Sequence, residues 1–261
     1  MNNLTVTIMA AGEGKRMNSQ IPKVLHLFKG IPMLIRIILQ VIKLEPYKII
    51  IITGKYDLLI KSTLKEYFEN NDKLNLTLIE YEKIQNLIFV KQDIPNGTGD
   101  AIKCTLKNYT DNENILILNG DTPLLSSHLL NNFLEDKHSI SAKILVAKLD
   151  NPFGYGRIIY DKNNNFIEIK EEKDCTENQK NINIINAGIY LFSSELLKKY
   201  IPLIENNNSQ KEYYLTDIIK IIRNNESNIN VKTYLIDEEL KYQIHGVNTK
   251  QELKDLEEKY Y

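Results

Sequence analysis

The stretch that decides the fold is LTVTIMAAGEGKR, residues 4–16. Its first six residues are apolar or β-branched throughout, which predicts a buried strand over residues 4–9. The strand leads directly into small residues that include Gly12 and Gly14, and such a loop lets backbone N–H groups approach an anion closely. The stretch therefore predicts an α/β protein with a phosphate-binding loop after its first strand.

The loop matches neither of two common nucleotide fingerprints. No Gly-Lys-Ser/Thr follows at the spacing of a Walker A loop, and Met17 occupies the third glycine position of a dinucleotide-binding motif. Two cations strengthen the prediction of a phosphate-binding loop. Arg16 and Lys23 beside a loop of amides match the charge of a triphosphate. The alternative for Lys23 is a surface lysine after the turn at Pro22.

Outward from this loop, short apolar runs alternate with helical patterns. Strand-helix-strand order predicts βαβ units, a mostly parallel sheet and helices on both faces. The predicted strands are 4–9, 48–53, 76–81, 114–118 and 141–149, and the predicted helices are 33–44, 57–69, 98–106 and 125–135.

The pattern changes after residue 150 and predicts a smaller α+β lobe. Residues 157–160 and 166–170 indicate a hairpin around a turn-rich segment. We divide the chain into a nucleotidyltransferase domain, 1–248, with halves 1–150 and 151–248, and a C-terminal helix, 249–261. The other predicted elements here are strands 184–192 and 231–236 and helices 213–223 and 249–259.

Composition excludes several classes of protein. With 33 Lys and Arg against 34 Asp and Glu, the net charge of −1 argues against a nucleic-acid binder. The longest apolar stretch, 31–44, is too short and too often interrupted to span a membrane. Cys104 and Cys175 form no metal spacing and no disulfide framework, which favours the cytoplasm.

Three further segments carry candidate chemistry. Asp121 follows a predicted strand and Gly120, a place suited to holding Mg²⁺ on a phosphate; the alternative is an Asp that caps the next helix. Residues 97–99, Gly-Thr-Gly, offer backbone donors at a helix start, or only a turn. Residues 154–157, Gly-Tyr-Gly-Arg, indicate at least a tight turn.

Taken together, the chain resembles the uridylyltransferase domain of bacterial bifunctional N-acetylglucosamine-1-phosphate uridyltransferase/glucosamine-1-phosphate acetyltransferases. The resemblance covers essentially the whole chain and is specific in its order. It rests on MAAGEGKRM (9–17), PKVLH (22–26), GIPML (30–34), GTG (97–99), NGDTPL (119–124), NPFGYGRI (151–158), EEKD (171–174), NAGI (186–189), EYYLTD (212–217) and GVN (246–248).

This resemblance implies a Rossmann-like sugar nucleotidylyltransferase fold, similar to GT-A folds, with a mostly parallel mixed sheet and a smaller sugar-binding lobe. The 1–150 half would bind nucleotide and the 151–248 half would bind sugar. The implied roles are nucleotide binding by Ala10, Ala11, Gly12 and Gly14, phosphate neutralisation and catalysis by Arg16 and Lys23, uracil reading by Gln92, Gly97 and Thr98, sugar binding by Gly156, Glu171, Asn186 and Thr216, and Mg²⁺ binding by Asp121 and Asn248.

The implied activity is transfer of UMP from UTP to N-acetylglucosamine 1-phosphate, which gives UDP-N-acetylglucosamine and pyrophosphate. A phosphate nucleophile is already anionic, so in-line attack assisted by Mg²⁺ needs no general base. Two alternatives stay open: the same chemistry on another sugar 1-phosphate such as glucose 1-phosphate, and a non-catalytic paralogue that binds nucleotide sugars. The presence of Arg16, Lys23, Asp121 and Asn248 argues against the second alternative.

The sequence departs from the family pattern at Lys15, Pro95, Asn96 and Asp100, which bears on nucleotide affinity and base selectivity. The family's β-helix acetyltransferase domain has no counterpart in the 261 residues, where no hexapeptide repeat occurs. We therefore expect a monomer or weak dimer and not a β-helix trimer.

Overall fold

The computed structural model describes residues 3–260 except 71–73, 75, 136, 138–139, 227 and 230. The strands in this part of the chain are β1 (Leu4–Met9), β2 (Leu27–Phe28), β3 (Ile31–Pro32), β4 (Lys48–Thr53), β5 (Ile88–Lys91), β6 (Asn114–Asn119), β7 (Ala142–Lys148), β8 (Arg157–Tyr160), β9 (Phe166–Lys170), β10 (Ile184–Ser193) and β11 (Lys232–Leu235). The α-helices are α1 (Met33–Val41), α2 (Asp57–Glu69), α3 (Leu78–Gln85), α4 (Thr98–Lys103), α5 (Ser127–Phe133), α6 (Glu177–Lys180), α7 (Ser194–Tyr200), α8 (Asp217–Asn225) and α9 (Lys250–Tyr260).

The chain forms two compact units that interleave along the sequence. The first unit comprises residues 1–95, 119–131 and 242–261, and the second comprises residues 96–118 and 132–241. The C-terminal helix α9 therefore belongs with the N-terminal segment.

In the first unit, parallel strands bring three loops to one edge. Strand β4 pairs in parallel with β1 on one side and with β5 on the other. The carboxyl ends Met9, Thr53 and Lys91 therefore lie at the same edge, where ligands bind in open α/β sheets. Helix α1 supplies six buried apolar side chains, at the spacing expected of a core-facing helix.

In the second unit, the long strand β10 organises a mixed sheet. It runs antiparallel to β6, β7 and β8, while β11 joins β7 in parallel and β9 completes a hairpin with β8. The register between β10 and β7 shifts between Asn186 and Tyr190. This bulge interrupts the pairing of β10 with β7 and changes the directions in which the side chains of Asn186 and Tyr190 point.

Most predicted elements are confirmed, and two are wrong. Residues 76–81 do not form a buried strand, because α3 covers residues 78–85 and Leu78 is 84% exposed. The strand in this part of the chain is β5, which begins at Ile88. The helix predicted over 213–223 begins only at Asp217, which leaves 213–216 without helical structure. Among the described residues, no helix is long and apolar enough to cross a bilayer.

Candidate active site

The loop after β1 packs closely against Lys23 at Gly14. Gly14 has φ +64°, and a Cβ added there would lie 2.6 Å from the Cβ of Lys23. A side chain at this position would be strained and would displace Lys23, so the loop requires glycine. The Gly14 carbonyl accepts a hydrogen bond from Met17 N at 2.8 Å, which closes the turn that carries Arg16.

Four predicted residues converge in the first unit, and we call Arg16, Lys23, Asp121 and Asn248 the charged cluster. Lys23 Nζ donates to Asp121 Oδ2 and to Asn248 Oδ1, the latter at 3.1 Å. Arg16 Nη2 donates to the same Asn248 oxygen at 2.9 Å. Side chains up to 232 residues apart in sequence therefore form one network of two cations and two oxygen-bearing groups.

Backbone contacts place Asp121 in this cluster. Gly120 N donates to Met9 O at 2.9 Å, which fastens the Asn-Gly-Asp segment to the end of β1. Val247 N donates to Asp121 O at 2.9 Å, and a Cβ at Gly246 would lie 3.4 Å from Asp121 Oδ1. Two segments thus enclose the carboxylate, whose side chain is 18% exposed.

The start of α9 positions Asn248. Glu252 Oε2 accepts a hydrogen bond from Asn248 N at 2.7 Å, and Glu252 N donates to Thr249 Oγ1 at 3.1 Å. A Thr followed three residues later by Glu is a helix-capping pattern that is visible in the sequence. Sequence reasoning missed Glu252 as a supporting residue, although this signal could have identified it.

The donor set of the charged cluster suits a divalent cation of the magnesium type. One ammonium group contacts oxygens of both Asp121 and Asn248, so these two residues can share a single cation. Mg²⁺ takes oxygen ligands and is commonly held by one or two side chains together with substrate phosphates. No group of three His, Cys, Asp or Glu side chains that could hold a metal occurs among the described residues.

Gln92 lies at the same edge of the sheet as the loop after β1. It follows β5, its backbone N–H donates to Thr53 O at 2.8 Å, and the residue is only 5% exposed. A buried carboxamide offers both a donor and an acceptor in a fixed plane. Gln92 is therefore not a solvent-exposed loop residue.

In the second unit, the loop that carries Gly97 and Thr98 is bonded to the segment before Thr216. Tyr213 N donates to Asn96 O at 2.8 Å and Gly99 N donates to Tyr213 O at 2.7 Å. Leu215 N donates to Thr98 Oγ1 at 2.9 Å, so this side chain serves the neighbouring backbone. The non-helical conformation of 213–216 exists because these bonds replace helical ones.

The four predicted sugar-binding residues also lie together in the second unit. Thr216 Oγ1 donates to Glu171 Oε1 at 2.8 Å, and Asn186 N donates to Gly156 O at 2.8 Å. A Cβ at Gly156 would lie 3.5 Å from Glu171 Oε2 and 3.6 Å from Asn186 Cβ. The same Cβ would lie only 2.9 Å from Ile169 Cγ2, so only glycine fits where the backbone passes close to Glu171 and Asn186. A carboxylate and an amide are groups that hydrogen-bond sugar hydroxyls and amides.

Burial changes the pKa of two carboxyl groups in this part of the second unit. Burial raises the pKa of Glu171 above its ordinary value, and the hydrogen bond from Thr216 opposes that rise. Burial also raises the pKa of Asp217, while Lys170 opposes it. A carboxylate held at a cost in solvation gains from any ligand that donates hydrogen bonds to it.

Two histidines of the first unit, His26 and His245, have lowered pKa values. Burial is the main cause that lowers the pKa of both His26 and His245 below the ordinary value. Both imidazoles are therefore uncharged at neutral pH, and the cations of the charged cluster are Arg16 and Lys23. The cluster can bind and orient anions without a histidine in it.

Comparison with known proteins identifies the family. The pattern of the nucleotidyl transferase family matches residues 5–235. The chain belongs to the nucleotidyl transferase family. This assignment confirms the predicted class of enzyme and agrees with the convergence of Arg16, Lys23, Asp121 and Asn248.

Two relatives refine the comparison of this nucleotidyl transferase. It is 43% identical over 259 residues to a protein of Acanthamoeba polyphaga mimivirus named probable UDP-N-acetylglucosamine pyrophosphorylase, and the match covers 98% of this chain and 96% of that protein. It is 40% identical over 254 residues to the bifunctional protein GlmU of Francisella tularensis subsp. novicida. That match covers 97% of this chain and 51% of GlmU, about half its length.

Solved structures support the predicted fold. A UDP-glucose pyrophosphorylase complexed with UDP-glucose has a TM-score of 0.75 at 16% identity, covering 100% of this chain and 99% of the other. HddC from Yersinia pseudotuberculosis, complexed with GMP-PN, has a TM-score of 0.63 at 19% identity, covering 98% and 99%. At these identities the similarity is evidence for the fold alone, and it confirms the predicted Rossmann-like, GT-A-like fold with a mixed, mostly parallel central sheet.

Proposed function

We propose that this nucleotidyl transferase moves UMP from UTP to N-acetylglucosamine 1-phosphate and releases pyrophosphate. The observation that carries the proposal is the charged cluster, which assembles two cations, a carboxylate and an amide from four separate segments. The name of the mimivirus relative favours this pair of substrates, because that match covers 98% of this chain and 96% of that protein.

The chemistry proposed requires alignment and charge neutralisation more than proton transfer. The phosphate of the sugar is the nucleophile and attacks the α-phosphorus of UTP in line with the departing pyrophosphate. Lys23 and Arg16 would neutralise charge that develops on the phosphate oxygens, a contribution usually worth several kcal/mol. The loop 10–14 would wrap the nucleotide, and Gln92 with the 97–98 backbone would read the uracil.

The residues present fit a bound Mg²⁺, which we propose as the cofactor. Asp121 and Asn248 would hold it, and when bound it would neutralise charge on the phosphates and orient them. The sugar would lie among Gly156, Glu171, Asn186 and Thr216. We also propose that the reaction takes place in the cytoplasm, because Cys104 and Cys175 form no disulfide in the part of the chain that the structure describes.

The test is a pyrophosphate-release assay of the purified chain over a panel of nucleotides and sugar 1-phosphates. We expect the highest kcat/KM with UTP and N-acetylglucosamine 1-phosphate. A clear preference for glucose 1-phosphate would keep the chemistry and replace the sugar. Binding of UDP-N-acetylglucosamine without turnover of any pair would instead identify a non-catalytic paralogue.

A further inference from the structure

One amide of the sugar-binding set is held by a residue outside that set. Asn186 Nδ2 donates to the hydroxyl of Tyr190 at 2.6 Å. On its other side, Asn186 Oδ1 accepts a hydrogen bond from Gly188 N at 3.1 Å. Both contacts form within the bulge of β10, where Gly188 has φ +73°.

These two bonds fix which way the amide faces. A backbone N–H can only donate, so it must meet the carbonyl oxygen of Asn186. The NH₂ group then faces the Tyr190 hydroxyl, which accepts. An amide has two N–H bonds and two lone pairs on oxygen, so one of each stays free for a ligand.

Burial makes this arrangement hard to replace with water. Tyr190 is 4% exposed and Asn186 is 8% exposed. The Tyr190 ring stacks on Phe192 with centroids 6.2 Å apart and 19° between the planes. Burial, and next the carboxylate of Glu171, raise the pKa of the Tyr190 phenol, so it stays protonated and neutral at working pH.

Asn186 also packs closely on Gly156, where an added Cβ would lie 3.6 Å from Asn186 Cβ and 2.9 Å from Ile169 Cγ2. The backbone bond from Asn186 N to Gly156 O joins β10 to β8 at this point. The bulge, the glycine and the carboxylate of Glu171 therefore form one local assembly within the second unit.

We propose that Tyr190 is a positioning residue for the sugar 1-phosphate: its hydroxyl fixes the Asn186 amide so that one N–H and one carbonyl lone pair face the ligand. This inference rests on the proposed function. It adds a residue that the strand pattern alone assigns to the core, because an aromatic side chain in a buried strand needs no other explanation.

The test is Tyr190→Phe, which removes one oxygen and keeps the stacked ring. We expect the KM for N-acetylglucosamine 1-phosphate to rise about tenfold, because a buried amide loses its partner and its orientation. The KM for UTP and kcat should stay within about twofold, because only the sugar contact is affected. Tyr200→Phe is the matched control, since Tyr200 is 1% exposed and its hydroxyl donates to Glu226 at 2.6 Å.

A double-mutant cycle separates positioning from general loosening of the core. In an Asn186→Ala background, Tyr190→Phe should no longer change the KM for the sugar phosphate. An equal rise in KM in both backgrounds, or an unchanged KM in the single variant, would overturn the inference. If Tyr190→Phe does not fold, Gly188→Ala strains the positive-φ backbone that aims the other hydrogen bond at the amide, and it should raise the same KM.

The wild-type rate separates failure of the positioning role of Tyr190 from failure of the proposed function. Turnover by the wild type with an unchanged Tyr190→Phe variant would refute only the positioning role. Absence of wild-type turnover with every sugar 1-phosphate would overturn the proposed function, and this inference with it.

Discussion

At the scale of single residues, Lys23 is the cation on which most of the site depends. Its ammonium group contacts oxygens of Asp121 and Asn248, and its side chain is only 15% exposed. Lys23→Ala should lower kcat by at least about 100-fold, because a preorganised charge at a reacting phosphate is lost. Initial rates of pyrophosphate release measure the effect, and circular dichroism checks the fold.

Lys15 provides the control for that variant. It lies in the same loop, but its side chain is 86% exposed and pairs with Glu13 at 3.5 Å. Lys15→Ala should change kcat by less than about threefold, since exposed pairs contribute little. Equal losses in both variants would show that general positive charge, and not the position of Lys23, matters.

Glu171 predicts a conflict between stability and function. Its folded-state pKa is raised above the ordinary 4.5, so the ionised form costs stability. The contribution of the protonated Glu171 to the free energy of unfolding is fully present below about pH 4.5 and is lost as pH rises through the folded pKa. Glu171→Gln should therefore raise Tm near pH 7, by roughly 2–4 °C for each kcal/mol recovered. The gain should shrink as pH falls toward 4.

The same variant should weaken sugar binding, because an amide accepts fewer hydrogen bonds than a carboxylate. Thermal unfolding over pH 4–8 and the KM for the sugar phosphate are the two measurements. Glu177→Gln is the control, since that side chain is 88% exposed. A Tm gain that is independent of pH would contradict the assigned cause.

At the scale of elements, α9 links a helix cap to the site. Glu252, at the third helical position, accepts a hydrogen bond from the backbone N–H of Asn248 and donates its own backbone N–H to the cap residue Thr249. Glu252→Ala should lower the apparent affinity for Mg²⁺ by about tenfold, because residues that orient a ligand typically matter by 10–100-fold. A Mg²⁺ titration of the rate measures this.

The far end of α9 supplies the comparison for Glu252. Glu258 pairs only loosely with Lys254, at 3.6 Å, and its side chain is 67% exposed. Glu258→Ala should leave the Mg²⁺ titration unchanged. Equal Mg²⁺ titrations for Glu252→Ala and Glu258→Ala would show that the helix cap does not affect metal binding by Asn248.

The elements also show how far sequence reasoning extends. Strands β1 and β4 were predictable because short runs of apolar and β-branched residues are best explained by burial in a sheet. The segment 76–81 misled because it has the same composition, yet Thr77 and Glu80 form a capping box that starts α3. Residues 213–216 carry helical periodicity, but tertiary bonds to 96–99 hold them out of the helix.

The candidate site was predictable to a different degree. Spacing alone suggested Arg16, Lys23 and Asp121 as separate candidates, and the family resemblance supplied Asn248 and the sugar-binding set. Their roles stay predictions, while their contacts are observed. No spacing rule relates Arg16 to Asn248 across 232 residues, because that contact depends on how the whole first unit folds. Tyr190 was missed because its bond depends on a bulge.

At the scale of the whole molecule, the charged cluster predicts a fold that does not need its metal. Asp121 has a cation partner within the chain, because Lys23 pairs with it. An unpaired, largely buried carboxylate would destabilise the protein, whereas a paired one does not. The chain should therefore fold fully before any divalent ion binds, unlike domains whose structural metal supplies the folding energy.

The last prediction follows from this pairing. EDTA should abolish pyrophosphate release, and excess Mg²⁺ should restore it, because the phosphates need the additional positive charge. The same EDTA treatment should shift Tm by less than about 2 °C, which corresponds to no more than roughly 1 kcal/mol for a chain of this size. Asp121→Ala, which removes the carboxylate, should make the rate insensitive to low Mg²⁺ concentrations and at least about 100-fold slower. Full turnover in metal-free buffer would refute the metal assignment, and a large drop in Tm with EDTA would show that the metal supports the fold as well.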